Sequence, residues 1–385
     1  MQRPTTIFSA LPLLVLILIV AALLAPQPAH AQPSDSLVIG QVVDLSGLGR
    51  EFSRDFVAGA KTYFDHVNAT GGMGGKRIKH IVKDDTGLAE MTLSQTRELL
   101  TADRADVLFG YVGDAGVSAL LGSDLFRKSG VAFFGAASGL NPEQSPPNVY
   151  YTRASYSAEA EAIVEQFRLL GVTRFAVVAA KSEFSQSVVS EISGVIRNKK
   201  LSLISVSELG TGEKDIARVA ASIAAKNPPQ VVITLADSIA CALFVKAYRP
   251  LDPGVSIVSL SLVNHETISQ LIGPKLAHGT MITQVVPNVS SRDIPVAMEH
   301  AMMMRKYRDE PPSHATFEGY IAAKTLVQII RQTQSDTTRG AIAAALKRAP
   351  KVNIGGIRVE FANGRNRGSD YADIVFLRKD GTLLR

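Results

Sequence analysis

With one cysteine in 385 residues the chain cannot form an intrachain disulfide. Cys241 also lies far from the N-terminus, which excludes an N-terminal lipid-modified cysteine. Within Ala240-Cys241-Ala242-Leu243-Phe244 it reads as a small buried apolar residue. The seven histidines include no His-x-x-x-His or His-x-His spacing, so transition-metal ligation lacks support and no metal site is expected. Charge of one sign is nowhere massed: the net charge is +6, and the densest basic cluster, Lys76-Arg77-Ile78-Lys79-His80, carries no interleaved aromatics. That pattern favours a solvated face over a nucleic-acid surface.

Enzyme motifs are equally scarce. Gly135-Ala136-Ala137-Ser138-Gly139 does not have the spacing of a Gly-x-Ser-x-Gly nucleophile elbow. Gly71 to Lys76 has some of the composition of a phosphate loop, but Arg77 stands where Ser or Thr would hold magnesium, so the run reads as a helix stop. Asp84-Asp85 reads as a strand-end turn, because neighbouring strand residues point to opposite faces. Met302-Met303-Met304, beside Arg305-Lys306-Tyr307 on an expected helix, is explained by packing. No cofactor is called for.

The one long apolar run lies at the start. Arg3 precedes Leu13 to Ala25, and Ala29-His30-Ala31 supplies a small-x-small cleavage site, so residues 1–31 are expected to be a signal peptide. An uncleaved anchor is the alternative, since Ile7 to Ala25 is nearly long enough to span a bilayer. The remaining composition, within a whole that is 46% hydrophobic and 20% charged, suits an exported protein with two lobes of ordinary size.

Val38 to Val43 is a short apolar strand that ends at Asp44-Leu45-Ser46-Gly47, a turn sequence. Phe56, Ala60, Tyr63, Phe64 and Val67 then recur at helical spacing until Thr70-Gly71-Gly72-Met73-Gly74-Gly75 stops the helix. Ile78 to Lys83 begins a second strand. Two strands joined by such a helix are parallel with a right-handed crossover, and ligands bind at the carboxyl edge of such sheets.

The unit repeats. Val107-Leu108-Phe109, Val131 to Phe134, Phe175 to Val178, Val231 to Leu235 and Val255 to Val258 predict strands. Val117 to Ser129, Ala158 to Leu170, Ser187 to Lys199, Ile216 to Lys226 and Ile239 to Tyr248 predict helices between them, giving an α/β class with parallel sheets. Breaks at Asn141 to Asn148 and at Val286 to Ser291 imply two lobes and a chain that crosses back before helices containing Met302 to Tyr307 and Ala322 to Arg331.

From about Leu37 onward the chain resembles the leucine/isoleucine/valine-binding (type I) periplasmic solute-binding protein family of ABC importers. The resemblance rests on the order and spacing of Asp44 to Gly47, Asn68 to Lys76, Asp84-Asp85, the Gly110 loop, Ala136-Ala137-Ser138 and Phe317 to Ala323. It implies the two-lobed type I periplasmic binding protein fold, each lobe a parallel sheet flanked by helices, with three hinge crossings and a ligand in the cleft between lobes. The expected division is 36–152 with 283–368 for lobe 1, and 153–282 with 369–385 for lobe 2.

The resemblance also suggests site residues. Gly113-Asp114-Ala115-Gly116 stands where relatives place a hydroxyl residue that holds the ligand carboxylate. Asp114 would repel a carboxylate, so it either caps a helix starting near Ala115 or meets a different ligand, and both roles are compatible. Ala136, Ala137 and Ser138 match a turn offering a carbonyl, an N–H and a hydroxyl. Phe52 and Phe184 correspond to aromatic covers, or else to core residues. The acidic partner of a ligand ammonium should fall near Ser261 and is missing, leaving Asp237 or Asp114 to supply negative charge. The resemblance thus implies a monomeric periplasmic receptor without chemistry of its own, delivering a small polar or amino-acid-like ligand to an ABC permease. A sensing subunit with the same fold is the alternative, and an exported enzyme ranks last.

Overall fold

The computed structural model describes residues 36–140, 146–181, 183–225, 227–333, 336–348, 351–361 and 365–384, without the side chains at 183 and 184. The expected signal segment and the core of the Asn141 to Asn148 break lie outside the described residues. Among those described, no helix is long and apolar enough to cross a membrane.

The first half runs β1 (Ser36–Val43), α1 (Arg50–Ala69), β2 (Arg77–Asp84), α2 (Ala89–Thr101), β3 (Val107–Phe109), α3 (Asp114–Gly122), α4 (Asp124–Ser129), β4 (Ala132–Phe134) and β5 (Val149–Tyr150). Then come α5 (Tyr156–Leu169), β6 (Arg174–Ala180), α6 (Glu183–Asn198), β7 (Ser202–Leu209), α7 (Glu213–Ala225), β8 (Val231–Leu235), α8 (Ser238–Tyr248), β9 (Ser256–Ser259), α9 (His265–Ile272), α10 (Pro274–Ala277) and β10 (Met281–Gln284). The chain ends with α11 (Pro295–Tyr307), α12 (His314–Arg331), α13 (Arg339–Lys347), β11 (Lys351–Asn353), β12 (Arg358–Glu360), β13 (Asp373–Leu377) and β14 (Leu383–Leu384).

Two sheet bodies result. The first is all parallel, in the order β2-β1-β3-β4-β5. The second runs β14-β13-β10-β9-β8-β6-β7, parallel except where β13 and β14 add an antiparallel edge. Central strands are buried on both faces, which is why β1 and β8 are apolar runs without alternation. Each sheet has apolar clusters on both sides. Phe56, Phe64 and Leu326 belong to one face of the first sheet, and Leu108, Leu120 and Phe133 to the other. Strand order places β2 and β3 on opposite sides of β1, and β7 and β8 on opposite sides of β6. Both are switch points, where the carboxyl ends of the strands open a crevice.

The chain passes between the bodies three times, after β5, after β10 and after β12. The first and third passages pair with each other: Tyr151 N–H donates to Asn366 C=O at 2.8 Å, and Gly368 N–H donates to Tyr151 C=O at 2.8 Å. Arg367 stacks 4.4 Å from the Tyr151 ring centroid.

Most expected elements are present, with two differences. The single helix expected over Val117 to Ser129 is two, because Ser123 ends α3 and its Oγ accepts the Phe126 N–H at 3.2 Å as the cap of α4. The strands β5, β7 and β10 to β14 and the helices α2, α9, α10 and α13 are additions to those expected. The glycine stop after α1 is as expected, with Gly71 at φ 102° and Gly72 at φ 77°. Met304 is buried and accepts the Thr62 hydroxyl at 3.3 Å, whereas Met302 is exposed, so packing accounts for part of the methionine run.

Candidate ligand cleft

Loops after β1 and β3 bring Gly49, Phe52, Val112, Gly113 and Asp114 to a cleft of about 280 Å³. Its opposite wall comes from the ends of β6, β8 and β9 and the start of α6: Ala180, Ser185, Val188, Thr234 to Asp237, Leu260, Leu262 and Val263. Tyr156, at the start of the first helix after a crossing, lies beside both walls. Both switch points thus face the same space.

The loops under this wall hold themselves in place. Asp44 accepts backbone N–H groups from Ser46 at 3.2 Å and Gly49 at 2.7 Å. Asp84 accepts the Leu45 N–H at 2.9 Å, the Ser46 hydroxyl at 2.7 Å and the Thr86 N–H at 2.8 Å. Asp85 accepts the Thr92 hydroxyl at 2.7 Å and the Gly87 N–H at 3.0 Å, so the adjacent carboxylates fasten two different turns. Among the described residues, no group of three or more His, Cys, Asp or Glu is gathered for a metal. Buried Cys241 has its thiol pushed up to about 11 by desolvation, consistent with an inert packing residue.

Asp114 is the polar centre of the cleft. It is the first residue of α3, follows Gly113 at φ 100°, and makes no capping bond to that helix. Its oxygens instead accept the Ser138 hydroxyl at 2.6 Å and the Tyr156 hydroxyl at 2.7 Å. The capping alternative therefore fails, and the carboxylate is committed to the cleft wall. Burial pushes the Asp114 carboxyl up to about 6, against the two hydroxyl donors and Arg153, which favour its charged form. The Tyr156 hydroxyl is pushed up, chiefly by desolvation and then by Asp114.

That shift has a stability consequence. Between the unfolded carboxyl value of about 3.9 and the folded value of about 6, the native group keeps a proton that the unfolded chain has lost. Stability therefore falls as pH rises through that window and stays at the lower level above it. Asp114→Asn should unfold like the parent near pH 3.5, yet be more stable by up to about 3 kcal/mol at pH 7.5. Urea midpoints at the two pH values check this, and equal midpoints at pH 7.5 would contradict it.

The other expected residues separate into two groups. Phe52 and Asp237 reach the cleft directly; Asp237 also caps α8, accepting the Ile239 N–H at 2.9 Å and the Ala240 N–H at 3.0 Å. Ser138 is fully buried and stands behind Asp114, and Ala136 and Ala137 are buried beneath it. Ala115 is exposed on α3 and does not line the cleft. The Phe184 side chain lies outside the described residues.

Ser261 turns away from this wall. Its backbone N–H and hydroxyl both donate to Glu159, at 2.9 and 2.8 Å, and the hydroxyl accepts from Arg153. Arg153 pairs with Glu159 at 3.2 Å and with Glu318 at 3.4 Å, and Thr283 donates its hydroxyl to Glu159. These side chains come from the first crossing, α5, α12, β10 and the loop after β9, so a buried charged cluster joins both bodies where the chain crosses. Sequence reasoning misses Tyr156 and the apolar residues Val112, Val188, Leu235, Leu260 and Leu262. Their signal is position alone, at strand ends and helix starts beside the two switch points.

The model of one protein family, described as periplasmic binding protein, matches residues 36–382. No curated relative matches the chain. The fold is shared with an extracellular ligand-binding receptor from Verminephrobacter eiseniae, at 22% identity and TM-score 0.85 over 91% of this chain and 100% of that one. A substrate-binding periplasmic protein from Ralstonia solanacearum is similar at 24% identity and TM-score 0.83, over 91% and 99%. A branched-chain amino acid transporter substrate-binding protein from Streptococcus pneumoniae, in complex with isoleucine, is similar at 15% identity and TM-score 0.79, over 91% and 98%.

Proposed function

Because this chain belongs to the periplasmic binding protein family, whose members and fold are those of non-enzymatic solute-binding proteins, we propose that it is an extracytoplasmic receptor that captures a small solute and hands it to the permease of an ABC importer. The observation that carries this reading is the cleft itself, walled by the carboxyl ends of both sheets and bridged by three chain crossings. On this reading residues 36–152 with 283–368 are one lobe, 153–282 with 369–385 the other, and they close over the solute as a monomer in the periplasm after removal of 1–31. Phe52, Asp114 and Asp237 touch the solute, while Ser138 acts by holding Asp114.

Screening solutes by thermal shift finds the ligand, since one present at a hundredfold its Kd stabilises the folded form by about 2.7 kcal/mol. Phe52→Leu keeps an apolar residue in the wall but removes the ring, and should weaken the ligand so found roughly tenfold, about 1.4 kcal/mol, by calorimetry. Unchanged affinity would place the solute elsewhere. Deleting the gene should abolish uptake of that solute. Intact uptake with altered gene expression would instead identify a sensing subunit.

A further inference from the structure

Resting on that reading of the cleft, we infer that its ligand is an amine with an apolar body and no free carboxylate. The polar groups around Asp114 and Asp237 are arranged to accept hydrogen bonds, and the donors beside them are already spent. Ser138 and Tyr156, whose hydroxyls could otherwise grip an anion, both give their protons to Asp114. What they leave for a ligand is lone pairs. The Ile239 and Ala240 N–H groups at the start of α8 are likewise consumed by Asp237. The first N–H groups of α3 carry no side-chain cap, but Asp114 stands in that first turn, so an anion placed there would face a carboxylate.

Charge points the same way. Among the described residues, no lysine, arginine or histidine lines the cleft, while Asp114 and Asp237 do. Asp114 has no ion-pair partner among the described residues, and Arg153, the cation whose field reaches it, is engaged by Glu159 and Glu318. A carboxylate half-buried in an apolar cleft without an ion-pair partner is a costly arrangement. A ligand ammonium at Asp114 would remove that cost, and its remaining N–H groups could meet the lone pairs of the Tyr156 hydroxyl. The Thr234 hydroxyl is paired with that of Ser259 at 2.7 Å, and beside it and Ser185 the rest of the wall, from Phe52, Val112, Val188, Leu235, Leu260 and Leu262, is apolar and fits an aliphatic or aromatic body. Asp237, exposed at the mouth, favours approach of a cation.

Calorimetric titration of the mature chain with matched probes tests this: phenethylamine, 3-methylbutylamine and cyclohexylmethylamine against the carboxylic acids and α-amino acids built on the same skeletons. At least one amine should bind ten times tighter or more than its acid and amino-acid counterparts, and Asp114→Asn should weaken it at least thirtyfold while melting no earlier than the parent. Asp124→Asn, an exposed carboxylate on α4 outside the cleft, controls for a general electrostatic effect and should change amine affinity less than threefold. Tighter binding of an acid or amino acid, or amine affinity indifferent to Asp114→Asn, overturns the amine assignment while leaving the receptor reading intact. Failure of every amine also overturns it. Failure of the receptor reading looks different: no heat from these probes and no stabilisation by any member of a broad solute library.

Discussion

Arg153→Ala is expected to destabilise the protein by about 3–5 kcal/mol at pH 7.5, the usual cost of removing one partner from a buried ion pair. Arg153 is completely buried, and so is Glu159, while Glu318 is nearly so. Without the guanidinium, two carboxylates would be left facing each other away from water. Ser261 and Thr283 still donate to Glu159, which softens its loss, but among the described residues Glu318 has no comparable set of neutral donors. Burial already holds the Glu318 carboxyl above its ordinary range in the intact protein, even with Arg153 favouring its charge. In the variant it would rise further. A carboxyl raised in the folded state costs stability only above its unfolded value of about 4.3, so the loss should shrink as pH falls toward 4. Urea unfolding at pH 7.5 and pH 4.5 reads both effects. A loss that is the same at both pH values would mean that packing, rather than charge, is what Arg153 supplies.

The second large effect is steric. Helices α1 and α12 meet so closely that a Cβ built on Gly59 would stand 1.7 Å from the Thr316 carbonyl oxygen, and one on Gly319 would stand 2.0 Å from that of Phe56. Both obstacles are backbone, so no rotamer change relieves them. Gly59→Ala or Gly319→Ala must push the helices apart, separating Phe56 and Phe64 from Phe317 and Tyr320 in one core cluster. We expect each to cost on the order of 4 kcal/mol or more, beyond the 1–3 typical of overpacking. Gly194→Ala in α6 is the contrast, because nothing stands within 4 Å of its Cβ. There the better helix propensity of alanine should add up to about 1 kcal/mol. Thermal melts of the three variants test the contrast, and similar melting points for Gly59→Ala and Gly194→Ala would refute the close helix contact.

Much of the fold was legible because doubly buried parallel strands leave an unmistakable trace: short apolar runs, each closed by turn residues, alternating with helix-length segments. The stop at Gly71-Gly72 and the turn at Asp44 to Gly47 could be read from residue type alone. The antiparallel edge of the second sheet could not, since β13 is only partly buried and β14 is two residues long. β13 does carry an apolar run, Ile374 to Leu377, but nothing local in that run records that it pairs antiparallel with β10. The family likewise emerged from the order of several short motifs, none of which would have sufficed.

The site was legible by wall but not by atom. Phe52, Asp114 and Asp237, which the family resemblance suggested, follow strand ends and line the cleft. Ser261 could not be distinguished from its neighbours, because the chain leaving β9 still alternates its faces. Leu260 and Leu262 turn toward the cleft, and Ser261 turns into the Arg153 cluster. Ser138 illustrates a second limit. It stands behind Asp114, and that its proton goes to Asp114 depends on a contact across 24 residues that no local pattern records.

The central claim is that two sheet bodies close over a solute held between them. Small-angle scattering of the chain without residues 1–31, titrated with the solute that most raises its melting temperature, tests that claim most directly. The radius of gyration should fall on saturation in the parent, and should not fall at the same solute concentration in Asp114→Asn. An unchanged scattering curve in the parent at a concentration that saturates the calorimetric signal would contradict closure, and an equal contraction in the variant would contradict the place assigned to Asp114.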